Sequence, residues 1–146
     1  MPYVSPQEAL NFRQQDLGRL RQELGPPPWR QALVGTSHTR WVLLCWPPEY
    51  ATISHWHPHA EEVFHVLAGQ ARFRFGPQGV AGVEDHLAGP GTLLLAQRGV
   101  EHTIAVAGDE PFILLCSVTP NEDVPDETIE VGTSGPGAPR PSRQRD

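Results

Sequence analysis

Four of the seven histidines in this chain fall within one stretch, SHWHPHAEEVFHVLAG, which runs from position 54 to position 69 and also holds two adjacent glutamates. Imidazole nitrogens and carboxylate oxygens are donors that Fe, Mn, Ni, Co and Zn ions accept from proteins. The stretch therefore predicts one of two things. It is either an exposed polar cluster or a set of side chains that converge on one metal ion.

Strand alternation places His55 and His57 on one face, because side chains two residues apart in a strand point the same way. Pro58 has no N–H to donate, so it ends the strand and leaves His59 in the turn that follows. The chain re-enters a strand at Glu62, whose carboxylate would be costly to bury alone but is compensated by coordination to a cation. We therefore expect two imidazoles and one carboxylate to share a face.

A fourth candidate lies downstream in GTLLLAQRGVEHTIAV, where Arg98 and Gly99 indicate a turn and His102 begins the next strand. In an antiparallel meander such a turn can bring His102 opposite the first pair. Three imidazoles and one carboxylate leave about two positions open on an octahedral ion, which admits a chelating substrate, or one substrate oxygen plus O2 or water.

The overall composition excludes several other functions. A net charge of -6 predicts neither a nucleic-acid partner nor a membrane partner, since phosphate binding needs clustered basic side chains. The chain has no lysine, which excludes Schiff-base chemistry. Its start does not resemble a secretion signal and its apolar runs are too short to span a bilayer, so we expect a cytoplasmic location. Cys45 and Cys116 are expected to be buried, reduced thiols.

A helix is predicted in the first 30 residues, which form the N-terminal part of the chain together with a Pro-rich connection. Ser5 can cap this helix, with Pro6 at its first position and Glu8 completing a capping box. Leucines at 10, 17, 20 and 24 give it an apolar stripe, and Gly25 with the prolines after it ends it.

Short apolar or alternating runs separated by Gly and Pro fill residues 31–120, and no helical pattern lies between them. This is typical of an all-β antiparallel barrel or sandwich. Residues 121–146 are first acidic and then rich in Pro, Gly and Arg, so we expect a tail that is disordered at its end.

The segment from His55 to Gly69 resembles the first sequence motif of the cupin superfamily, in which two histidines, a glutamate and a glycine recur at the spacing of His55, His57, Glu62 and Gly69. It is also similar to the corresponding segment of germin-like cupins. The resemblance selects His55 and His57, rather than His57 and His59, as the ligand pair.

The second cupin motif is matched in part, at Gly91, Gly99 and His102. Two positions depart from it, because Gln97 stands where the family usually has proline and Val106 where it usually has asparagine. Neither is a ligand position, so the departures bear on the turn and on local hydrogen bonding.

The resemblance implies a cupin-type double-stranded jelly roll that binds one divalent metal ion (Fe, Mn, Ni, Co or Zn) through His55, His57, Glu62 and His102. It also implies a homodimer and a small-molecule substrate. The favoured function is a metal-dependent dioxygenase in which Glu62 also shuttles a proton. The alternatives are a non-redox isomerase, decarboxylase or cyclase, and a non-catalytic ligand-binding module.

The remaining conspicuous side chains are given structural roles. Arg72 and Arg74 alternate with phenylalanines and are expected on the outer face, with substrate binding as the alternative. We expect Phe64, Phe73 and Phe75 in the barrel interior, His65 in packing or at the surface, and His38 and His86 in loops. Trp46 and Tyr50 are expected to pack, with a position at the rim as the alternative.

Overall fold

Two antiparallel β-sheets enclose one core in the computed structural model, which describes residues 9–79, 83–121, 128–131 and 142–144. The elements are α1 (Leu17–Leu24), β1 (Trp29–Gly35), β2 (Arg40–Trp46), β3 (Ser54–Trp56), β4 (Glu61–Ala68), β5 (Gln70–Gly76), β6 (Glu84–Ala88), β7 (Leu93–Ala96), β8 (Glu101–Ala107), β9 (Phe112–Thr119), β10 (Thr128–Val131) and β11 (Ser142–Gln144). One sheet has the order β1-β2-β9-β4-β7 and the other the order β11-β10-β3-β8-β5-β6. The all-β antiparallel fold predicted from the sequence is confirmed.

The interior between the sheets is filled by the inward side chains of alternating strands. Phe64 of β4 and Phe73 and Phe75 of β5 are at most 5% exposed, and they pack with one another across the two sheets. The prediction that these phenylalanines line the interior is therefore confirmed. Burial of such large apolar side chains is the main favourable contribution to a fold of this kind.

A second apolar cluster lies on the outer face of the five-stranded sheet, where α1 packs. Its buried members are Leu20, Trp29, Leu33, Leu43 and Cys45. This outer cluster explains why β1 and β2 carry apolar residues on both faces. With such a pattern, the sequence does not show which residues of a strand point into the barrel.

The helix is shorter than the sequence analysis predicted. It begins at Leu17, after Asp16, whose side chain accepts a hydrogen bond from the Arg19 backbone N–H at 3.1 Å. Leu10 and Asn11 instead donate backbone hydrogen bonds to β1, so that part of the predicted helix is not helical. Ser5, Pro6 and Glu8 lie outside the described residues, while the helix end at Gly25 is confirmed.

Several strands were not predicted. β1 begins before the predicted domain boundary at residue 31, and β6 contains His86, which the sequence analysis placed in a loop. Four of the five β6 residues are exposed, so this edge strand is held through backbone pairing with β5 and leaves no apolar signal. β10 and β11 lie within the acidic and Pro-rich tail, and β10 pairs with β3.

The rest of the tail lies outside the described residues. None of the helical structure within the described ranges has the length and apolar character that crossing a membrane requires.

Candidate metal centre

His55 and His102 lie side by side on neighbouring strands of the six-stranded sheet. His55 is the middle residue of β3, His102 is the second residue of β8, and the two are register partners in an antiparallel pair. Their ring centroids are 4.3 Å apart. The prediction that the turn before His102 brings it opposite the first histidines is therefore confirmed.

His57 follows β3, and Glu62 comes from the facing five-stranded sheet, where it is the second residue of β4. His57 Nε2 lies 2.7 Å from Glu62 Oε2, and both residues are buried. The turn before β8 holds the backbone of His57 in place, because the Gly99 backbone N–H donates to the carbonyl oxygen of His57 at 2.8 Å. Two sheets and one turn thus meet at the same point.

Each of the four predicted residues offers one ligand atom, and these atoms all lie within 4.8 Å of one another. Donor atoms about 2.1 Å from a shared ion are separated by roughly 3 to 4 Å, so small side-chain adjustments would complete a coordination sphere. The structure thus brings together the ligand set that the sequence predicts, namely His55, His57, Glu62 and His102.

The ring orientation of two histidines suits metal binding. His55 Nδ1 lies 3.0 Å from the carbonyl oxygen of Ile53, and His102 Nδ1 lies 3.0 Å from that of Val100. A carbonyl oxygen only accepts, so each Nδ1 carries the proton, and the Nε2 atom of the neutral ring keeps its lone pair for a cation.

His102 Nε2 is a buried nitrogen that has no hydrogen-bond partner among the described residues. It lies 3.3 Å from Glu62 Oε2, close enough for an ion pair but without the alignment of a hydrogen bond. Buried polar atoms without a partner are rare and costly. A cation bound at this point would satisfy the nitrogen, so the residues present fit a divalent metal ion.

The electrostatics keep His55 and Glu62 in the protonation states that a metal requires. Burial, together with the charge of His102, lowers the pKa of His55 to about 3, so its ring is neutral at physiological pH. Burial alone would raise the pKa of Glu62, but the contacts with His102 and His57 outweigh it and hold this pKa well below its usual value. The centre therefore offers a carboxylate at Glu62 and a neutral imidazole at His55.

Apolar side chains and one thiol surround the cluster. The ring centroids of Phe64 and Phe75 are 5.5 and 6.2 Å from that of His102. Cys116 of β9 lies beside Glu62, and burial, followed by the charge of that carboxylate, raises the pKa of the thiol to about 12. These neighbours limit water at the cluster and strengthen electrostatic interactions there. The predicted burial of both free cysteines is confirmed.

The other histidines stand apart from the four. His59 is exposed and borders an outer cavity of about 570 Å³ with Glu61 and Arg98. His65 is half-buried on the opposite face of β4 from Glu62, paired with Leu93. His38 lies in an exposed bend and His86 on the exposed edge strand β6.

Arg72 and Arg74 are exposed and contact Asp85 of β6 at 2.8 and 3.5 Å, which confirms that they lie on the outer face. At the far end of the strands, Trp46 and Tyr50 pack against each other, with ring centroids 4.6 Å apart, and against the interior core.

The two departures from the second cupin motif have structural substitutes. The carbonyl oxygen of Gln97 accepts the Val100 backbone N–H at 3.1 Å, so the turn is closed without a proline. Val106 is 9% exposed and packs in the interior core, and its backbone N–H donates to Tyr50 at 2.8 Å. Neither change disturbs the four candidate ligands.

Sequence analysis did not identify two arginines on the inner face of the five-stranded sheet. Arg40 is the register partner of Val118, which is also the partner of Glu62, and Arg30 is the partner of Leu44. The only signal in the sequence was the alternation of Arg40 with Val42 and Leu44 in RWVLLCW. That signal is ambiguous, because both faces of β2 are apolar.

The double-sheet β-barrel holds three histidines and one carboxylate in its interior, an arrangement that fits a single metal ion. The chain belongs to the cupin domain family, which matches residues 42–118. The resemblance seen in the two motifs is thereby confirmed.

Solved structures share this fold. The chain is 25% identical to an uncharacterised conserved protein with a double-stranded β-helix domain from Klebsiella pneumoniae, with a TM-score of 0.59 over 75% of this chain and 90% of that one. It is 24% identical to TT1209 from Thermus thermophilus, with a TM-score of 0.63 over 75% and 98% of the two chains.

KdgF from Halomonas is 14% identical, with a TM-score of 0.55 over 65% of this chain and 82% of that one. A sequence comparison with curated proteins gave no match.

Proposed function

We propose that this protein binds one divalent metal ion through His55, His57, Glu62 and His102 and catalyses an oxygen-dependent oxidation of a small chelating molecule. The observation that carries the proposal is the convergence of four ligand atoms within 4.8 Å, in an interior where one imidazole nitrogen is buried without a hydrogen bond. A structural zinc site would be closed by four ligands, whereas this set leaves positions open on an ion of higher coordination number.

A bound divalent ion would supply Lewis acidity and, for Fe, Mn, Ni or Co, access to redox chemistry with O2. The residues of the chain hold and orient the reacting groups. His55 and His102 present fixed rings, because each is tied to a backbone carbonyl oxygen. Phe64 and Phe75 exclude water from the inner side of the cluster.

Glu62 is the group we assign to proton transfer. Its Oε2 atom lies within hydrogen-bonding distance of His57 Nε2, so this oxygen can accept a hydrogen bond inside the cluster. A carboxylate whose pKa is held well below its usual value is ionised at neutral pH but is a weak base, so it can take a proton only from an acidic group. Substrates with an acidic O–H next to a second oxygen donor, such as enediols, diketones and phenols, match a site that both chelates and deprotonates.

Oxygen uptake tests the proposal. Protein prepared free of metal and then loaded separately with Fe(II), Mn(II), Ni(II), Co(II) or Zn(II) is assayed with a panel of enediols, diketones and phenols. We expect uptake with at least one redox-active ion, none with Zn(II), and none with His55→Ala. His65→Ala, on the opposite face of β4, is the matched control and should retain uptake.

The same assay separates the alternatives. Turnover in the absence of O2, supported equally by Zn(II), would show a non-redox isomerase, decarboxylase or cyclase and would contradict the proposed oxidation. Tight ligand binding with no turnover under any of these conditions would indicate a binding module.

A further inference from the structure

One turn holds two of the four candidate ligands. It comprises residues 97–100, directly before β8, and is called the ligand turn below. The Gly99 backbone N–H donates to the carbonyl oxygen of His57 at 2.8 Å, and the carbonyl oxygen of Val100 lies 3.0 Å from His102 Nδ1. A displacement of the ligand turn would therefore disturb two imidazoles of the cluster at once.

A side chain from the connection that follows β5 ties the ligand turn in place. The side-chain amide of Gln78 donates a hydrogen bond to the carbonyl oxygen of Gly99. Gly99 is thus held through both of its backbone groups, because its N–H donates to His57. Gln78 itself is exposed, so its hydrogen bond competes with water and has a small net effect.

Glu101 supplies a second tie, and this one is buried. Its Oε2 atom accepts the Gly79 backbone N–H at 3.1 Å, and only 2% of the residue is exposed. Glutamate is almost never buried to this extent unless it is paired. Neighbouring residues of a strand point to opposite faces, so Glu101 points away from the cluster to which His102 belongs. Its carboxylate is therefore placed to hold the connection after β5 and not to bind the ion.

We propose that Glu101, assisted by Gln78, is a positioning residue for the metal centre. The two side chains fasten residues 78–79 to the ligand turn and to the start of β8, and this fixes His57 and His102 in the geometry that an ion needs. The inference rests on the function proposed above and adds to it the residues that set the affinity for the metal.

Preorganisation is the physical reason for this role. Metal ligands that are already held in place do not lose conformational freedom when the ion binds, and groups that hold ligands from outside the coordination sphere typically change metal affinity by roughly 10- to 100-fold when they are lost. The ties of Glu101 and Gln78 act one step further out, through the backbone of the ligand turn, so we expect an effect near the lower end of that range. A hydrogen bond to a charged acceptor is the stronger kind, which makes Glu101 the more important of the two.

Cobalt affinity and folding stability, measured on the same variants, test the inference without an activity assay. Metal-free protein is titrated with Co(II) in competition with a chromophoric chelator, under conditions where circular dichroism shows a folded chain. The stability of the metal-free protein is measured separately by urea denaturation. Wild type is compared with Glu101→Ala, Glu101→Gln and Gln78→Ala, and with the control Glu84→Ala, which removes an exposed carboxylate from β6 of the same sheet.

We expect Glu101→Ala to weaken Co(II) binding about tenfold and Gln78→Ala about threefold. Glu101→Gln should stay within about twofold of the wild type, because the amide oxygen still accepts the Gly79 N–H. Glu84→Ala should bind cobalt as the wild type does. A purely structural role would lower the stability of the metal-free protein but leave the cobalt affinity of the folded chain unchanged.

Equal cobalt affinities in wild type, Glu101→Ala and Gln78→Ala would overturn this inference and leave the proposed metal site intact. Equal losses of affinity in Glu101→Ala and Glu101→Gln would also overturn it, because they would show that the charge of Glu101 matters and its hydrogen bond does not. If Glu101→Ala does not fold, an unchanged affinity in Gln78→Ala decides against the inference by itself. Failure of the wild-type protein to bind Co(II) would instead contradict the proposed function, on which this inference rests.

Discussion

His55 and His102 are direct cross-strand partners, and each ring is held by the same device, an Nδ1 atom 3.0 Å from the carbonyl oxygen of the residue two positions earlier. The acceptors are Ile53 and Val100. The backbone therefore sets the tautomer of both imidazoles, and both Nε2 atoms are available to a cation. Backbone acceptors cannot be removed by side-chain substitution, so this preorganisation depends on the strand pairing itself.

Gly69 of the first motif is expected to be a structural residue. Its φ of 74° is in the left-handed region, and a Cβ atom there would lie 2.4 Å from the carbonyl oxygen of Pro111. We predict that Gly69→Ala lowers the free energy of unfolding by roughly 2 to 4 kcal/mol, because backbone strain and a backbone clash add together. Urea denaturation followed by circular dichroism measures the change.

Gly91 of the second motif provides the matched control. It also has a positive φ, of 85°, but a Cβ atom there would meet nothing within 4 Å. Gly91→Ala should therefore lower the free energy of unfolding by only about 1 kcal/mol, the contribution of backbone strain alone. Equal losses for the two variants would show that the close approach to Pro111 is unimportant.

The buried thiols predict a loss of stability at alkaline pH. Burial raises the pKa of Cys45 to about 11 and that of Cys116 to about 12, from a reference value of 9.0. The unfolded chain therefore loses these protons first, so their contribution to stability is fully present below about pH 9 and falls as the pH rises through 11 to 12. Urea denaturation at a series of pH values between 8 and 12 measures this slope.

The double variant Cys45→Ala, Cys116→Ala isolates the effect of the thiols, since tyrosines also ionise in this range. We expect its stability to depend less steeply on pH than that of the wild type. Identical slopes would show that the thiols ionise equally well in the folded chain.

The homodimer expected from the sequence stays a prediction, and β7 is the strand where we expect it to form. Leu93 and Leu95 are 69% and 51% exposed on this edge strand of the five-stranded sheet. Exposed apolar side chains on a sheet edge favour association with another copy. We predict that Leu93→Glu with Leu95→Glu shifts the chain to a monomer in sedimentation velocity.

Leu87, 56% exposed on the other edge strand β6, serves as the control for this experiment. Leu87→Glu should remain dimeric. A wild-type chain that sediments as a monomer, or a dimer that survives both sets of changes, would exclude β7 as the interface.

Local patterns predicted the candidate ligands well, because strand alternation and motif spacing together fix which side chains share a face. His55, His57 and Glu62 lie within eight residues, so their relative phase can be read from the sequence. His102 reaches the other three residues only through the pairing of distant strands, which strand alternation alone does not predict. The spacing of the second cupin motif was what identified it as a candidate.

The less successful predictions have physical reasons. The helix was predicted to begin at Ser5, because the leucine at position 10 continued a helical stripe, whereas Asp16 caps the helix and the preceding segment pairs with β1. β6 is a mostly polar strand held by backbone pairing, which leaves no hydrophobic period. β10 alternates polar and apolar residues, but it has only four residues and lies in an acidic segment. Arg40 was not recognised because a strand that is apolar on both faces does not reveal its phase.

The metal content of the purified protein and its variants tests the central claim most directly. Protein expressed without a chelating tag, in medium supplied with Fe, Mn, Ni, Co and Zn, is analysed by inductively coupled plasma mass spectrometry. We predict about one ion per chain in the wild type, as a mononuclear site requires, and little metal in His55→Ala, Glu62→Gln and His102→Ala.

His59→Ala, which changes an exposed histidine close by in sequence, should keep its metal. A wild-type chain without stoichiometric metal, or a loss of metal in His59→Ala but not in His55→Ala, would contradict the account.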